Sequence, residues 1–450
     1  MLDNTHLSRT RLSAGQLAAN FSDLHPALST DEARTEASRC LYCYDAPCTR
    51  ACPTHIDVPR FIRQILHSDL PGAADTIFEE NIFGGSCARA CPTEVLCEGA
   101  CVDQTLLRAP VQIGRLQRSA TDASPPRNEA GPDTGKRIAV IGSGPAGLSC
   151  AYSLRRLGHA VVVFEANSVP GGLNTFGISA YKISTAFSLS EVASIKSIGV
   201  EIRTGETVDA GRLRDLHKSF DAVFLGVGLG ATSSLELPGA EATGIVEALE
   251  FIAESHSGPL SDCRVGRHVL VIGGGNTAID VATQAVRLGA ESVTIAYRRS
   301  ALEMSAFAYE YALARDDGVR FEWMTRPVEF LGESGVISAT KMVKLNMVGT
   351  GRSAVLKDIP GTTFEIQSDM VIQALGQNPT TGLLNEFDPQ ILEDGRVRVD
   401  PETRATPVPG LFAGGDCLSR GAEIADAVQD GKLAAAGIHR FLCGKPCIRP

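Results

Sequence analysis

Twice in this chain a short apolar strand runs into a glycine turn, a helix and a second apolar strand, and no other feature limits the fold as tightly. RIAVIGSGPAGLSCAYSLRRLGHAVVVFEA and HVLVIGGGNTAIDVATQAVRLGAESVTIAYRR follow this order some 130 residues apart. A helix joining two strands favours parallel pairing with helices packed on the sheet faces, so each unit predicts its own parallel sheet. A chain of 450 residues exceeds the roughly 250 to 300 at which single cores stop growing, so two or three domains are expected.

The expected fold class is therefore α/β, with two Rossmann-like dinucleotide-binding domains. In the first unit Gly142, Gly144 and Gly147 have the GxGxxG spacing, and Glu165 follows the next strand. Such glycines let backbone N–H groups and a helix N-terminus meet a pyrophosphate, while the acid accepts from a ribose. The second unit has Gly273, Gly275 and Ala278, and it ends in Arg298 and Arg299 where the acid would stand. Two arginines there suit a 2′-phosphate, which favours NADPH over NADH. Near the C-terminus Gly415 and Asp416 lie between an apolar run and a helix, a place from which Asp416 could bind a ribityl chain with the helix N-terminus facing a flavin. Together these predict an FAD-binding domain over 136–257 and 377–450, with a NAD(P)H-binding domain over 258–376 inserted in it.

Eight of the thirteen cysteines lie between Cys40 and Cys101, in a separate module over 1–120. Its intervening segments are helical in pattern, with Phe61, Ile62, Ile65 and Leu66 at helical spacing. A Pro-, Gly- and polar-rich linker over 121–135 closes it. The spacing is C-x2-C-x4-C-x3-C-P and then C-x3-C-P-x4-C-x3-C. Zinc prefers two separated ligand pairs, and only Cys40 and Cys43 form a CxxC, so zinc fits poorly. Tight runs ending in Cys-Pro suit [4Fe-4S] clusters, whose last cysteine often serves a second cluster. No signal-peptide-like or membrane-length apolar run occurs, so a cytoplasmic protein with reduced thiols is expected. A net charge of -10 argues against nucleic acid as a main partner. Neither glycine unit contains a redox CxxC pair, and the terminal Cys443 and Cys447 read as incidental. Electrons taken up by a flavin would then leave through the clusters, because flavin joins two-electron nicotinamide to one-electron iron–sulfur chemistry.

The stretches RCLYCYDAPCTRACPTHIDVPRFIRQI, SCARACPTEVLCEGACV, APVQIGRLQRSATD, VPGGLNTFGISAYKIS and GGGNTAIDVA carry a resemblance over nearly the whole chain. It resembles the electron-input subunits of bacterial NAD(P)-dependent dihydropyrimidine dehydrogenases, and is similar to the glutamate synthase small subunit. The resemblance implies a helical domain with two [4Fe-4S] clusters, FAD and NAD(P)H. It assigns Cys40, Cys43, Cys48 and Cys101 to one cluster, and Cys52, Cys91, Cys97 and Gln117 to the other. Spacing alone would give Cys87 the place of Gln117, which otherwise reads as a surface residue of an amphipathic helix. The resemblance also implies flavin contacts from Ser143, Gly144, Pro145, Ala146, Gly147, Glu165, Gly171, Gly172, Leu173, Lys182, Gly415, Asp416, Ala422, Glu423 and Ile424. Nucleotide contacts would come from Gly274, Gly275, Asn276, Thr277, Arg298, Arg299, Ala374, Leu375 and Gly376. Ser305 departs from the pattern of mammalian dihydropyrimidine dehydrogenase, whose N-terminal half the chain also resembles and which has a basic residue there, and so leaves NADH open.

The expectation is an NAD(P)-dependent oxidoreductase that passes electrons through FAD and two clusters to an FMN-containing partner subunit reducing uracil or thymine. No side chain need act as a general base or nucleophile, because the cofactors carry the chemistry. A partner is expected because no further ~250 residues remain for an FMN barrel. The alternative is a glutamate synthase small subunit or an NADPH:ferredoxin-type carrier. A non-catalytic scaffold is opposed by the intact glycine turns and the eight module cysteines.

Overall fold

A computed structural model of the chain describes residues 7–349, 351, 354–419 and 421–444. Cys447 lies outside the described residues. The chain forms two compact units, one of Leu24–Thr175, Thr185–Gly230 and Pro379–Pro450, the other of Met1–Asp23, Phe176–Ser184 and Ala231–Asn378.

The first unit contains a parallel sheet in the order Leu411–Ala413, Ala222–Leu225, Arg137–Ile141, Ala160–Glu165, Glu201–Thr204. Ile138, Val140, Val161 and Val163 lie in an apolar core with Leu148 and Leu154 of the helix Pro145–Arg156 and Val428 and Ile438 of the helix Ile424–Cys443. Near-continuous apolar runs are what strands covered on both faces require. The strand Leu411–Ala413 joins this sheet from far along the chain, pairing with Ala222–Leu225.

The cysteine module belongs to the same unit and is helical. Val58, Phe61, Ile62 and Ile65 of the helix Val58–Leu66 are buried against Ile77, Ile113 and Leu116, whereas Leu66 is only partly covered. The helix Ile113–Ala123 runs three residues into the stretch expected as linker, with Asp122 accepting from Arg89 and Arg118.

The second unit has its own parallel sheet, ordered Ile245–Glu247, Met370–Gln373, His268–Ile272, Ser292–Tyr297, Arg320–Trp323. Beside it Thr325–Glu333, Val336–Val348, Val355–Asp358 and Phe364–Gln367 form an antiparallel sheet. The contact boundaries depart from the expected 1–120 and 258–376. Residues 7–23 group with the second unit because Leu7 and Leu17 enter its core and Thr10 Oγ1 donates to Leu288 O at 2.6 Å. Residues 231–257 do so because Ile245–Glu247 is an edge strand of its sheet.

Candidate functional site

Each cysteine run is shaped by its prolines. Pro47 occupies the first turn of the short helix Pro47–Ala51, where a missing N–H costs nothing. Pro53 and Pro92 bar helical geometry at the residue before them. Cys52 and Cys91 therefore end their helices in extended conformation, ψ 120° and 136°, and each N–H returns to the carbonyl four residues back. Within a run, one thiol thus projects from the helix and the next from the departing chain.

Cys40, Cys43, Cys48 and Cys101 line one cavity, whose wall includes Val58 and Ile62. Burial is the largest influence on two of these thiols. It pushes Cys48 up to about 11, with Cys40 and Cys101 adding like-charge repulsion, and it raises Cys40, with Cys43 and Cys101 adding to the rise. Four converging thiols, two of which resist ionisation alone, suit a cationic iron–sulfur core, which would offset their charge.

The second group gathers Cys52, Cys87, Cys91 and Cys97. The Cys91 thiol is driven well above its ordinary range, first by its hydrogen bond with Cys87, then by burial and the nearby Cys97 and Cys52. Cys97 is raised by burial, then by Glu98, Cys52 and Cys48, so the two thiol groups adjoin. Among the described residues, none of the eight module cysteines belongs to a three-ligand group tight enough for a single ion.

Gln117 is buried, contrary to its reading as a surface residue, and its Nε2 donates to Gly84 O at 2.7 Å. With the nitrogen committed, Oε1 is the amide atom left for ligation. Cys87 is buried too, and accepts from Asn81 Nδ2 at 3.2 Å. Two neighbours went unnoticed in the sequence. Thr54 Oγ1 lies 3.3 Å from Cys52 Sγ, and Lys432 Nζ donates to Thr54 O and Glu80 O.

In the first glycine turn, Gly142 has φ 96°, and a Cβ on Gly147 would stand 2.0 Å from Gly142 O, so helix and strand approach as only glycine permits. A Cβ on Gly144, the residue before Pro145 and Ala146, would meet nothing within 4 Å, which leaves open space at the helix N-terminus. Glu165 accepts from Ser143 N and Oγ at 2.9 and 2.6 Å and from Asn167 N at 2.8 Å, while Ser143 Oγ receives Gly171 N at 3.0 Å. The carboxylate therefore stiffens the loop that ends in Gly172 and Leu173. Asp416 Oδ1 accepts from Ala422 N at 3.1 Å, and burial raises its carboxyl. Asp426 and Glu423 cap the helix that begins at Ile424. Asp430, absent from the expected set, binds Gly415 N at 2.8 Å and pairs with Arg404.

In the second unit Asn276 and Thr277 open the helix Asn276–Arg287, and Gly274 lies so close to the Tyr297 ring that a Cβ would stand 2.4 Å from it. Ser305 N and Oγ both donate to Gly274 O at 3.2 Å. Arg298 is exposed and makes no hydrogen bond or ion pair among the described residues, whereas Arg299 Nη1 donates to Gly351 O at 2.8 Å. Ala374 N donates to Ile272 O, and Leu375 and Gly376 follow, with Gly376 at φ 85°. Lys182 belongs to this second unit. Its Nζ lies 2.6 Å from both Asp280 Oδ1 and Glu310 Oε1, and Tyr181 Oη donates to Asp280 at 2.9 Å. Burial raises the Glu310 carboxyl, and its Oε2 has no hydrogen-bond partner among the described residues.

Residues 17–129 match the family described as dihydropyrimidine dehydrogenase domain II, 4Fe-4S cluster, and residues 136–431 match pyridine nucleotide-disulphide oxidoreductase. These matches bring [4Fe-4S] clusters, FAD and NAD(P)H as cofactors. The chain is 34% identical to the NAD-dependent dihydropyrimidine dehydrogenase subunit PreT of Escherichia coli, over 94% of this chain and 98% of that one. It is 31% identical to the glutamate synthase [NADPH] small chain of Azospirillum brasilense, over 96% and 94%. Mycobacterium tuberculosis FprA in complex with NADPH shares the fold, with a TM-score of 0.56 and 18% identity over 69% of this chain and 85% of that one. No described helix is long and apolar enough to cross a membrane.

Proposed function

For a chain that belongs to the pyridine nucleotide-disulphide oxidoreductase family and carries a dihydropyrimidine dehydrogenase-type 4Fe-4S domain ahead of that region, we propose the role of electron-input subunit of a dihydropyrimidine dehydrogenase. In this role electrons pass from NAD(P)H, with NADPH preferred, to an FMN-containing partner that reduces uracil or thymine. The bound cofactors supply hydride acceptance and one-electron transfer. The protein's part is to hold and orient them.

The observation that carries this reading is the single cavity shared by Cys40, Cys43, Cys48 and Cys101, beside a second buried group with Cys52, Cys91 and Cys97. Thiols from distant parts of the module converge without a disulfide, as a relay requires. Gln117, with its amide nitrogen already donating, completes the second set through Oε1. Ser143 to Gly147, the loop braced by Glu165, and the segment from Gly415 to Ile424 hold the flavin. The Lys182 ammonium gives two of its three hydrogens to Asp280 and Glu310. Arg298 meets the 2′-phosphate. Cytoplasmic residence accords with reduced thiols.

The second reading is a glutamate synthase small chain, favoured by a relative of comparable identity and coverage. The deciding experiment measures NADPH oxidation by the anaerobically purified protein with uracil or thymine and a pyrimidine-reducing FMN subunit, against glutamine, 2-oxoglutarate and a glutamate synthase large subunit. Pyrimidine-dependent oxidation is expected. Activity only in the glutamate mixture would overturn the proposal.

A further inference from the structure

At the opposite end of the flavin-side helix from Asp416, three potential ligands meet that none of the chemistry above uses. His159 immediately precedes the strand Ala160–Glu165 and is fully buried. His439 and Cys443 are four residues apart in the last turn and a half of the helix Ile424–Cys443, a spacing that puts both side chains on one face. His159 Nε2 lies 2.9 Å from His439 Nδ1, and these two nitrogens and Cys443 Sγ all fall within 4.8 Å of one another. We infer that His159, His439 and Cys443 form a site for one zinc-class divalent cation, bound through His159 Nε2, His439 Nδ1 and Cys443 Sγ, with water completing the coordination.

The donor set is that of a borderline-soft ion, because imidazole and thiolate together select zinc over magnesium or calcium. In a tetrahedral zinc site neighbouring ligand atoms are roughly 3.3 to 3.8 Å apart, given metal–ligand distances of about 2.0 to 2.3 Å. The two nitrogens are already close to that spacing, and rotation of the half-buried Cys443 side chain brings in the sulfur. Ligating imidazoles commonly donate their other N–H to a fixed acceptor, which orients the ring. His159 has that support in Thr134, whose Oγ1 lies 2.7 Å from Nδ1 and 3.2 Å from Gly158 O. Thr134 can donate to the carbonyl and accept from Nδ1–H, so the Nε2 lone pair faces His439. Burial, followed by His439, lowers the His159 imidazole to about 4, which keeps it in the neutral form a metal needs. A cation is also favoured at the C-terminal end of a helix, where carbonyls gather partial negative charge. Binding releases the thiol proton of Cys443 and moves the His439 proton from Nδ1 to Nε2, so that both imidazoles stay neutral, and no electron changes hands.

Such an ion would fasten the C-terminal end of the long helix to the start of the second strand of the flavin sheet. The test uses the full-length protein with flavin and clusters loaded, treated with a chelator too weak to extract cluster iron and then titrated with Co²⁺ or Zn²⁺ alone. We expect one equivalent of Co²⁺ with a thiolate-to-cobalt charge-transfer band. Cys443→Ser should abolish that band, and His439→Ala should weaken uptake at least tenfold, with iron and flavin content unchanged in both. Zn²⁺ should raise the thermal midpoint of the parent and leave both variants unmoved. Uptake equal in parent and variants would place the ion elsewhere and overturn the site. So would cobalt spectra without a thiolate band in the parent.

Discussion

Replacing Lys182 with methionine gives the sharpest test of how the second unit is held together. The substitution keeps the length of the stem and removes the ammonium that Asp280 and Glu310 share at 2.6 Å. The three side chains are 8%, 11% and 4% exposed, so little water can replace the lost cation. Breaking a buried ion pair by removing one partner costs about 3 to 5 kcal/mol. In a unit of roughly 180 residues, where 1 kcal/mol moves the midpoint by about 2 to 4 °C, Lys182→Met should lower it by roughly 6 to 20 °C. The pH dependence has a defined sign. Despite burial, which opposes it, the neighbouring Asp280, Tyr181 and Glu310 raise the Lys182 ammonium well above 10.5, so its stabilisation is complete throughout neutral pH and is lost only at high alkalinity. In the variant the Glu310 carboxyl, already raised by burial, loses its cation and takes up a proton more readily as the pH falls, so the deficit should shrink on acidification. Scanning calorimetry as a function of pH reads both effects. A midpoint within about 2 °C of the parent at neutral pH, or a deficit that grows on acidification, would refute the reasoning. A triple variant with Asp280→Asn and Glu310→Gln should recover most of the loss, because it removes the unpaired charges.

Three further outcomes are expected. Gln117→Ala should alter the EPR signal and potential of one cluster while Cys87→Ala leaves both unchanged; the reverse would give the ligand position to Cys87, which lies against Cys91. Arg298→Glu should lower kcat/KM for NADPH by ~10- to 100-fold, the worth of one charge-assisted contact, with far less effect on NADH; equal losses would remove the 2′-phosphate argument. Burial raises the Glu191 carboxyl from 4.5 to about 7, against the opposing hydrogen bonds from Ser86, so its protonated form stabilises the fold below 4.5 and that contribution fades as the pH rises through 7. Glu191→Gln should therefore remove about 3 kcal/mol of pH dependence from urea unfolding over that interval, and an unchanged slope would exclude a buried neutral acid at this position.

Both parallel sheets were legible because their signals are local. A strand, a glycine turn and a helix lie within thirty residues, and Gly142 and Gly273 take the positive φ values that such turns require. The thiol groups were legible in part for the same reason, since Cys-Pro fixes where each short helix stops. Partners far apart in sequence were not. Lys182 reads as a turn residue with no acid nearby, because Asp280 and Glu310 stand 98 and 128 positions on. The first helical residues read as part of the cysteine module, although Asn20 Nδ2 donates to Arg287 O at 2.9 Å. One missed feature did carry a local signal. Ser334 and Gly335, at φ 52° and 81°, join the strands Thr325–Glu333 and Val336–Val348 as a two-residue hairpin turn, and Ser-Gly between β-rich runs announces one.

The helix Ile424–Cys443 ties these observations into one physical picture of the first unit. Near its start Asp430 fixes Gly415 through the backbone N–H, and a Cβ on Gly415 would stand 2.9 Å from Ala146 Cβ, so the flavin-side loop has no slack. In its middle Lys432 donates to Glu80 O at 2.7 Å and Thr54 O at 3.3 Å, and the Thr54 hydroxyl lies 3.3 Å from the Cys52 sulfur. At its end His439 meets His159 at the foot of the sheet. Gly431 and Gly437 lie along the same helix, where a Cβ would come within 2.4 Å of Ala146 O and 2.1 Å of Thr403 O, so sliding the helix along its axis would create backbone collisions on two sides. A displacement of this helix must therefore be felt both at the Gly415 loop and at the Cys52 thiol. In the proposed assignment of flavin to the Gly415 loop and of a cluster to Cys52, both sites would be held in register by this one helix, so its packing would set the separation on which electron transfer depends.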